Sequence, residues 1–183
     1  MEALHVIDEA FAGCPLVTTV GATSRELASF SRRPSHLYLL DSMGLAPAVG
    51  AGLAFGLDRP VAVVEGDGSL LMGLSVIATL AYHRPPRFTL ILLDNHQHAS
   101  AASIETQAER IDLGAVCAAA GLPTVRANDA DALGAALRTA REDARQTVVH
   151  VAIEGGNSPG VPFLLDDPVA IRTAFTNFLE QPR

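Results

Sequence analysis

Residues 61–100 read VAVVEGDGSLLMGLSVIATLAYHRPPRFTLILLDNHQHAS, and this stretch decides the fold. A first apolar run, residues 61–64, leads into Gly66-Asp67-Gly68, and a second, residues 88–93, stops at Asp94-Asn95. Two short apolar runs on either side of a helical pattern predict parallel strands that are buried on both faces. Asp67 and Asn95 would then lie at the carboxyl edge of one sheet, where open α/β sheets bind ligands.

The rest of the chain continues this alternation of strands and helices. Further strands are predicted at residues 16–20, 36–40, 123–126 and 147–153, and helices at 2–12, 24–30, 45–57, 69–82, 112–120, 129–145 and 169–179. Six strands alternating with helices predict a three-layer α/β/α domain with a six-stranded parallel sheet. Residues 1–183 are expected to form a single domain, with a loop at 96–109 and a tail at 155–167 as its mobile parts.

Composition excludes several classes of function. The net charge of −7 argues against nucleic-acid binding, which needs a clustered basic face. Cys14 and Cys117 form no Cys-x-x-Cys pattern, which is typical of a reducing compartment and excludes an iron–sulfur site held by this chain alone. Every basic residue is an arginine, so a Schiff-base or P-loop lysine is excluded as well.

The sequence also predicts a cytoplasmic protein that is not bound to a membrane. The amino terminus carries Glu2, Asp8 and Glu9 and has no basic leader of the kind that opens a signal peptide. The longest charge-free apolar stretch, residues 43–57, is shorter than the ~20 residues that a membrane span needs.

The Gly66-Asp67-Gly68-Ser69 turn between a strand and a helix is typical of a phosphate cradle. Backbone N–H groups at the amino end of a helix bind phosphate, and glycines let a ligand approach the backbone closely. A carboxylate at Asp67 would repel phosphate unless a divalent cation lay between them, and Asn95 supplies a second oxygen one strand later. Oxygen-only ligands favour Mg²⁺ or Ca²⁺. The alternative is an ordinary strand–turn–helix in which Asp67 only caps the helix.

These motifs resemble the thiamine-diphosphate fingerprint, in which Gly-Asp-Gly-Ser is followed by an asparagine, here Asn95, 28 residues after Asp67. The segments EGDGSLLM, LILLDN and DSMG are similar to the diphosphate-binding domain of sulfopyruvate and phosphonopyruvate decarboxylases. The resemblance covers nearly the whole chain, although only residues 41–106 carry specific motifs. It departs from the family at residues 100–104, where Ser-Ala-Ala-Ser-Ile replaces Ser-Thr-Gly-Gly-Gln, and at residues 41–44, where Asp-Ser-Met-Gly replaces the commoner Gly-Ser-Met-Gly.

The resemblance implies a role for each residue that matches the family motif. Asp67 and Asn95 would bind Mg²⁺ through side-chain oxygens and Gln97 through its backbone carbonyl. Met43 would support the bent conformation of the cofactor. The diphosphate and its surroundings would be held by Gly66, Gly68 and Ser69, with Ser42 and Gly44 beside Met43.

The resemblance further implies that half of the active site is missing from this chain. In the family, an activating glutamate lies in a separate pyrimidine-binding domain. We therefore expect a hetero-oligomer in which a pyrimidine-binding alpha subunit supplies that glutamate and this chain is the beta subunit. Together they would decarboxylate a small anionic 2-oxo acid, 3-sulfopyruvate or phosphonopyruvate, to CO₂ and an aldehyde.

His98 is the candidate catalytic residue, because it matches a histidine of the phosphonopyruvate-type enzymes and could hydrogen-bond the substrate acid or relay a proton. A structural histidine at a subunit interface is the alternative for this position. The other histidines His5, His36, His83 and His150 are expected at the surface or at strand ends. Two alternatives to the function remain: an acetolactate-synthase-like or 2-oxoacid oxidoreductase subunit, and a non-catalytic Rossmann-like nucleotide-binding module.

Overall fold

The computed structural model describes residues 1–99 and 101–181. Ser100 of the predicted 96–109 loop and the last two residues of the predicted domain lie outside the described residues. The strands are β1 (Leu16–Thr18), β2 (His36–Tyr38), β3 (Val61–Gly66), β4 (Phe88–Asp94), β5 (Gln97–His98), β6 (Ile104–Glu105), β7 (Thr124–Ala127) and β8 (Thr147–Ala152). The helices are α1 (Glu2–Ala10), α2 (Ala22–Phe30), α3 (Ala46–Gly56), α4 (Asp67–Met72), α5 (Val76–His83), α6 (Leu113–Ala119), α7 (Ala130–Glu142) and α8 (Pro168–Glu180).

Six of these strands form one sheet in the order β2-β1-β3-β4-β8-β7, and each neighbouring pair is parallel. The sheet confirms the predicted six-stranded parallel architecture. Its central strands β3 and β4 are buried along nearly their whole length, as strands covered on both faces must be. Because all six strands point the same way, their carboxyl ends meet at one edge.

Two hydrophobic cores, one on each face of the sheet, make up the outer layers. Successive side chains of β3 alternate between them: Ala62 and Val64 pack with α1, α2 and α7, whereas Val61 and Val63 pack with α3, α5 and α6. This period of two is the geometry of an extended strand. The three-layer prediction is therefore confirmed at the level of individual side chains.

The predicted helix over residues 69–82 is wrong in one respect, because the structure divides it into α4 and α5. The break lies at Gly73, whose backbone touches that of Gly44. A Cβ at residue 73 would lie 2.3 Å from the Gly44 carbonyl oxygen. The helical pattern of the sequence continues through this point, since the contact that interrupts the helix is made by another segment.

Part of the predicted 96–109 loop forms regular structure. Strands β5 and β6 pair antiparallel, and a 3₁₀ turn follows at Gln107–Glu109. Within residues 1–99 and 101–181, no helix has the length and apolar character needed to cross a membrane.

Candidate functional site

A cavity of about 570 Å³ opens at the carboxyl edge of the sheet. Its wall includes eight of the residues predicted from the sequence, namely Met43, Gly66, Asp67, Gly68, Ser69, Asn95, Gln97 and His98. Ser42 and Gly44 lie outside the lining: the Ser42 hydroxyl donates to the Leu40 carbonyl oxygen, and the Gly44 N–H donates to Ser69 Oγ at 2.8 Å. Strand ends separated in sequence thus converge on one concave surface.

Asp67 occupies the first position of α4, directly after β3 ends at Gly66. A carboxylate in the first turn of a helix is stabilised by the partial positive charge there. The side chain is 2% exposed, and its Oδ2 accepts a hydrogen bond from Thr106 Oγ1 at 2.5 Å. Among the described residues, Thr106 is the only hydrogen-bond partner of this carboxylate. The other carboxylate oxygen, Oδ1, is therefore available to a ligand in the cavity.

Asn95 and Gln97 follow the carboxyl end of β4. The Gln97 N–H donates to Asn95 Oδ1 at 3.0 Å, which forms a tight turn that directs both residues to the cavity edge. The amide oxygen of Asn95 retains a second lone pair for a ligand. The Gln97 side chain packs against Gly155, where a Cβ would lie 2.8 Å from Gln97 Oε1.

His98 lies across the first turn of α4. Its imidazole occupies the space above Gly68, because a Cβ at residue 68 would stand 2.5 Å from His98 Nδ1. Gly66, in contrast, has open space where its Cβ would be. The two glycines of the motif therefore differ. Gly68 makes room for the His98 side chain, whereas Gly66 leaves its backbone open to the cavity.

A buried polar cluster lies beneath the turn. Ser69 Oγ lies 2.8 Å from Thr19 Oγ1, and Glu65 Oε1 accepts from the Gly66 N–H at 3.0 Å. Burial raises the pKa of the Glu65 carboxyl, while the Ser69 and Thr19 hydroxyls act in the opposite direction. Glu65 Oε2 is buried and has no partner among the described residues. Glu65 was not predicted as a site residue, because an acidic residue at the end of a buried strand has the same sequence pattern as the start of a turn.

A second polar network surrounds Asp94 at the end of β4. His150 Nε2 lies 2.9 Å from Asp94 Oδ2, and Arg126 Nη1 lies 3.2 Å from His150 Nδ1. Burial alone would raise the pKa of Asp94, but the hydrogen bonds from His150 and His96 lower it overall. The expected surface or strand-end position of His150 is wrong: it lies within β8 and is 8% exposed. His36 does begin β2, as expected, although it is buried.

Hydrogen bonds hold the first residues of the predicted mobile tail, 155–167, at the side of the cavity. The Ser158 N–H donates to Glu26 Oε1 at 2.8 Å, and Asn157 Nδ2 donates to the Ala99 carbonyl oxygen at 3.2 Å. Arg25 then binds the carbonyl oxygens of residues 161 and 162. This segment thus forms one side of the cavity, which its glycine- and proline-rich sequence did not indicate.

The described wall of the cavity is acidic. The acidic residues Glu2, Glu26, Asp67, Asp129 and Glu154 line it, and no arginine or lysine does so among the residues that the structure describes. The Met1 ammonium also lines the cavity and is paired with Glu26 Oε2 at 3.2 Å. A cation is therefore needed before this surface can hold a diphosphate, because carboxylates and phosphates repel one another.

The donor set of the site fits Mg²⁺. One carboxylate, one amide oxygen and a backbone carbonyl are hard oxygen ligands, and Mg²⁺ is usually held by few protein groups with substrate phosphates completing its octahedron. Within residues 1–99 and 101–181, no group of three or more His, Cys, Asp or Glu side chains could hold a metal. The site therefore differs from a zinc site, which is built from His and Cys.

Comparisons with known proteins identify the family to which this chain belongs. A family model described as "Thiamine pyrophosphate enzyme, C-terminal TPP binding domain" matches residues 19–151. The phosphonopyruvate decarboxylase of Streptomyces viridochromogenes is 39% identical over 168 residues, which cover 91% of this chain and 42% of that protein. The sulfopyruvate decarboxylase subunit beta of Methanococcus maripaludis is 30% identical over 166 residues, which cover 91% of this chain and 89% of that protein.

Among solved structures, the benzoylformate decarboxylase of Polynucleobacter necessarius aligns with a TM-score of 0.74 at 19% identity, over 86% of this chain and 33% of that chain, which shows the shared fold. The present chain spans less than half the length of the Streptomyces relative. The family match covers most of the chain and confirms the family predicted from its motifs. The chain therefore belongs to the thiamine pyrophosphate enzymes, and it carries their C-terminal TPP-binding domain.

Proposed function

We propose that this chain is the diphosphate-binding beta subunit of a heteromeric decarboxylase that acts on 3-sulfopyruvate or phosphonopyruvate with thiamine diphosphate and Mg²⁺. The observation that carries the proposal is the convergence of Asp67 and Asn95, from two neighbouring strands, on one cavity edge beside Gly66. The relatives named above support the choice of reaction, since one is a phosphonopyruvate decarboxylase and the other a sulfopyruvate decarboxylase subunit beta.

The residues of the cavity have distinct proposed roles. Asp67, Asn95 and the backbone carbonyl of Gln97 hold Mg²⁺, and Gly66, Gly68 and Ser69 hold the diphosphate. Met43 supports the cofactor between its rings, with the turn at Ser42 and Gly44 held in place by the hydrogen bond from the Gly44 N–H to Ser69. When bound, thiamine diphosphate supplies the electron sink that lets a 2-oxo acid lose CO₂.

His98 is the proposed catalytic residue of this subunit. Its ring lines the cavity and rests on Gly68, so it is held beside the diphosphate turn rather than free in solvent. An imidazole in this position can donate a hydrogen bond to the substrate acid or deliver a proton to the product.

The remaining half of the site would come from a pyrimidine-binding alpha subunit in a hetero-oligomer. That the Methanococcus relative is named as a subunit beta supports such a partner. The charge of the cavity supports it too, because the described wall is acidic and without arginine or lysine, whereas the proposed substrates carry two anionic groups. The partner would therefore supply cationic side chains in addition to the activating glutamate. In this arrangement residues 1–183 act as one diphosphate-binding domain in the cytoplasm.

The proposal is tested by co-expressing the chain with the product of the neighbouring gene and measuring CO₂ release with thiamine diphosphate and Mg²⁺. Sulfopyruvate, phosphonopyruvate and pyruvate are compared as substrates. We expect Asp67→Ala to abolish metal-dependent activity, whereas Asp58→Ala, at an exposed carboxylate in a turn, keeps it. Activity and metal dependence that survive Asp67→Ala would refute the site. Binding of NAD(H) without binding of thiamine diphosphate would instead support the nucleotide-binding alternative.

A further inference from the structure

Thr106 makes an unexpected connection between the two segments that carry the proposed metal ligands. Its hydroxyl reaches Asp67, which follows β3, across 39 positions of sequence. Its backbone N–H donates to the carbonyl oxygen of His96, which lies between Asn95 and Gln97, at 2.9 Å. A single residue is thus hydrogen-bonded to both sides of the site.

The Thr106 hydroxyl is the donor in its bond to Asp67, because a carboxylate oxygen accepts hydrogen bonds. The Ala108 N–H donates to Thr106 Oγ1 at 3.3 Å and uses a lone pair of that oxygen. The hydroxyl proton is then free to point at Asp67 Oδ2, an acceptor 2.5 Å away. Thr106 is 4% exposed and Asp67 is 2% exposed, so water does not compete strongly for this bond.

We infer that Thr106 is a positioning residue for the metal site: it holds Asp67 Oδ2 so that Oδ1 alone faces the cation. This inference rests on the proposed role of Asp67 as a Mg²⁺ ligand. A carboxylate that binds through one oxygen suits the small octahedral shell of Mg²⁺, which tolerates little distortion. Groups that hydrogen-bond to a ligand orient it, and their loss weakens metal binding although they never touch the metal.

The hairpin of β5 and β6 places Thr106 where this bond can form. Gln97 pairs with Glu105, and His98 pairs with Ile104, so the chain returns to the cavity edge one residue before Thr106. Closing this hairpin therefore brings Asn95, Gln97 and the Thr106 hydroxyl to the metal side of the cavity together. Metal binding and the order of the 96–109 loop are coupled through this residue.

A purely local role is the competing explanation, since Thr106 also caps the 3₁₀ turn at Gln107–Glu109. A cap affects the stability of the fold but leaves metal affinity unchanged. Asp167 provides a matched control, because it caps α8 through its side chain, is exposed, and is not part of the cavity wall.

The test measures Mn²⁺ binding by electron paramagnetic resonance, with saturating thiamine diphosphate, on the complex formed when the chain is co-expressed with the product of the neighbouring gene. We expect Thr106→Val to raise the Mn²⁺ dissociation constant about tenfold, in the range found when such supporting hydrogen bonds are removed. Thr106→Ser keeps the hydroxyl and is expected to bind as the wild type does. Asp167→Ala should lower the midpoint of urea unfolding without changing Mn²⁺ affinity.

Each outcome decides one question. Wild-type affinity in Thr106→Val would overturn the positioning role and leave the proposed function standing. Failure of the wild-type complex to bind Mn²⁺ in the presence of thiamine diphosphate would refute the metal site itself, and the inference with it. If Thr106→Val does not fold, Thr106→Ala is compared with Thr106→Ser. The measurement is the shift in the urea midpoint of unfolding that added Mg²⁺ causes in each variant. Equal shifts in the two variants would overturn the inference.

Discussion

The imidazole of His98 rests on the backbone of Gly68. A Cβ at residue 68 would lie 2.3 Å from His98 Cε1, a distance at which one of the two groups must move. Gly68, the second glycine of the Gly-Asp-Gly turn, therefore leaves the space that the His98 ring occupies.

Gly68→Ala should displace the His98 ring from the cavity wall. Because the His98 ring is a side chain that can rotate aside, we expect a modest loss of about 1 kcal/mol in the free energy of unfolding, together with weaker binding of thiamine diphosphate. Urea unfolding and calorimetric titration measure the two effects. Adding His98→Ala to Gly68→Ala should recover the lost stability, since the obstructing ring is then absent.

Gly52→Ala is the matched control for that experiment. Gly52 lies in α3 with nothing within 4 Å of its Cβ position. The substitution should leave stability unchanged or raise it by up to about 1 kcal/mol, because alanine is the better helix former. If Gly68→Ala behaved like Gly52→Ala, the contact with His98 would not constrain the site.

Gly73→Ala should destabilise the protein more than a surface glycine replacement does. Its Cβ would meet the backbone of Gly44, which cannot rotate away as a side chain can. We expect a loss of about 2–3 kcal/mol, measured by urea unfolding. Gly56→Ala, at a position with open space around its Cβ, should show little change and serves as the comparison.

The free energy of unfolding should decrease as the pH drops below about 6.5. The reason is that burial lowers the pKa of His36, an effect that the Asp8 carboxylate opposes without reversing it. The unfolded chain then takes up a proton near pH 6.5 that the folded protein accepts only at lower pH. By linkage, the free energy of unfolding decreases from that pH downward, by at most about 1.4 kcal/mol per pH unit for this group.

Urea unfolding at a series of pH values between 8 and 5.5 measures this dependence. His36→Gln should flatten the curve in that window, because it removes the titrating group. His83→Gln, at an exposed position, should keep the wild-type slope. A wild-type slope in His36→Gln would assign the pH dependence to another group.

Cys117 should resist alkylation in the folded protein. Burial raises the pKa of its thiol to about 11, so almost no thiolate is present at neutral pH. Cys117 lies within α6 and its side chain is fully buried in the core between that helix and the sheet, and Cys14 is also buried. Iodoacetamide labelling followed by mass spectrometry should show both thiols modified in urea and neither in buffer. Rapid labelling of Cys117 in buffer would contradict the packing described here.

The strands and their common direction were predicted best, because they depend on residue patterns within short segments of the chain. Short unbroken apolar runs, separated by helical segments, predicted the six parallel strands. The residues after β3 and β4 predicted which oxygens meet at one edge, because the carboxyl ends of parallel strands lie at the same edge of a sheet. That reasoning places Asp67 and Asn95 beside one another without any knowledge of side-chain contacts. The family resemblance added Met43, Gln97 and His98, which also line the cavity.

Contacts between segments far apart in sequence could not be predicted in this way. The break between α4 and α5 arises where Gly73 meets Gly44, and nothing in the helical period of residues 69–82 indicates it. Thr106 lies in a segment without periodicity, so its bond to Asp67 left no pattern to detect. The buried pair of Asp94 and His150 joins two strands whose adjacency depends on the order of the sheet.

By itself, the sequence determined the strands, their common direction and the chemistry that their ends carry, since backbone geometry and hydrophobic burial act within each segment. The tertiary structure alone decided how that chemistry is supported: His98 resting on Gly68, Thr106 holding Asp67, and residues 155–158 closing one side of the cavity. The physical reason is that such contacts depend on distances of a few ångströms between segments whose relative positions are set only when the whole sheet has formed.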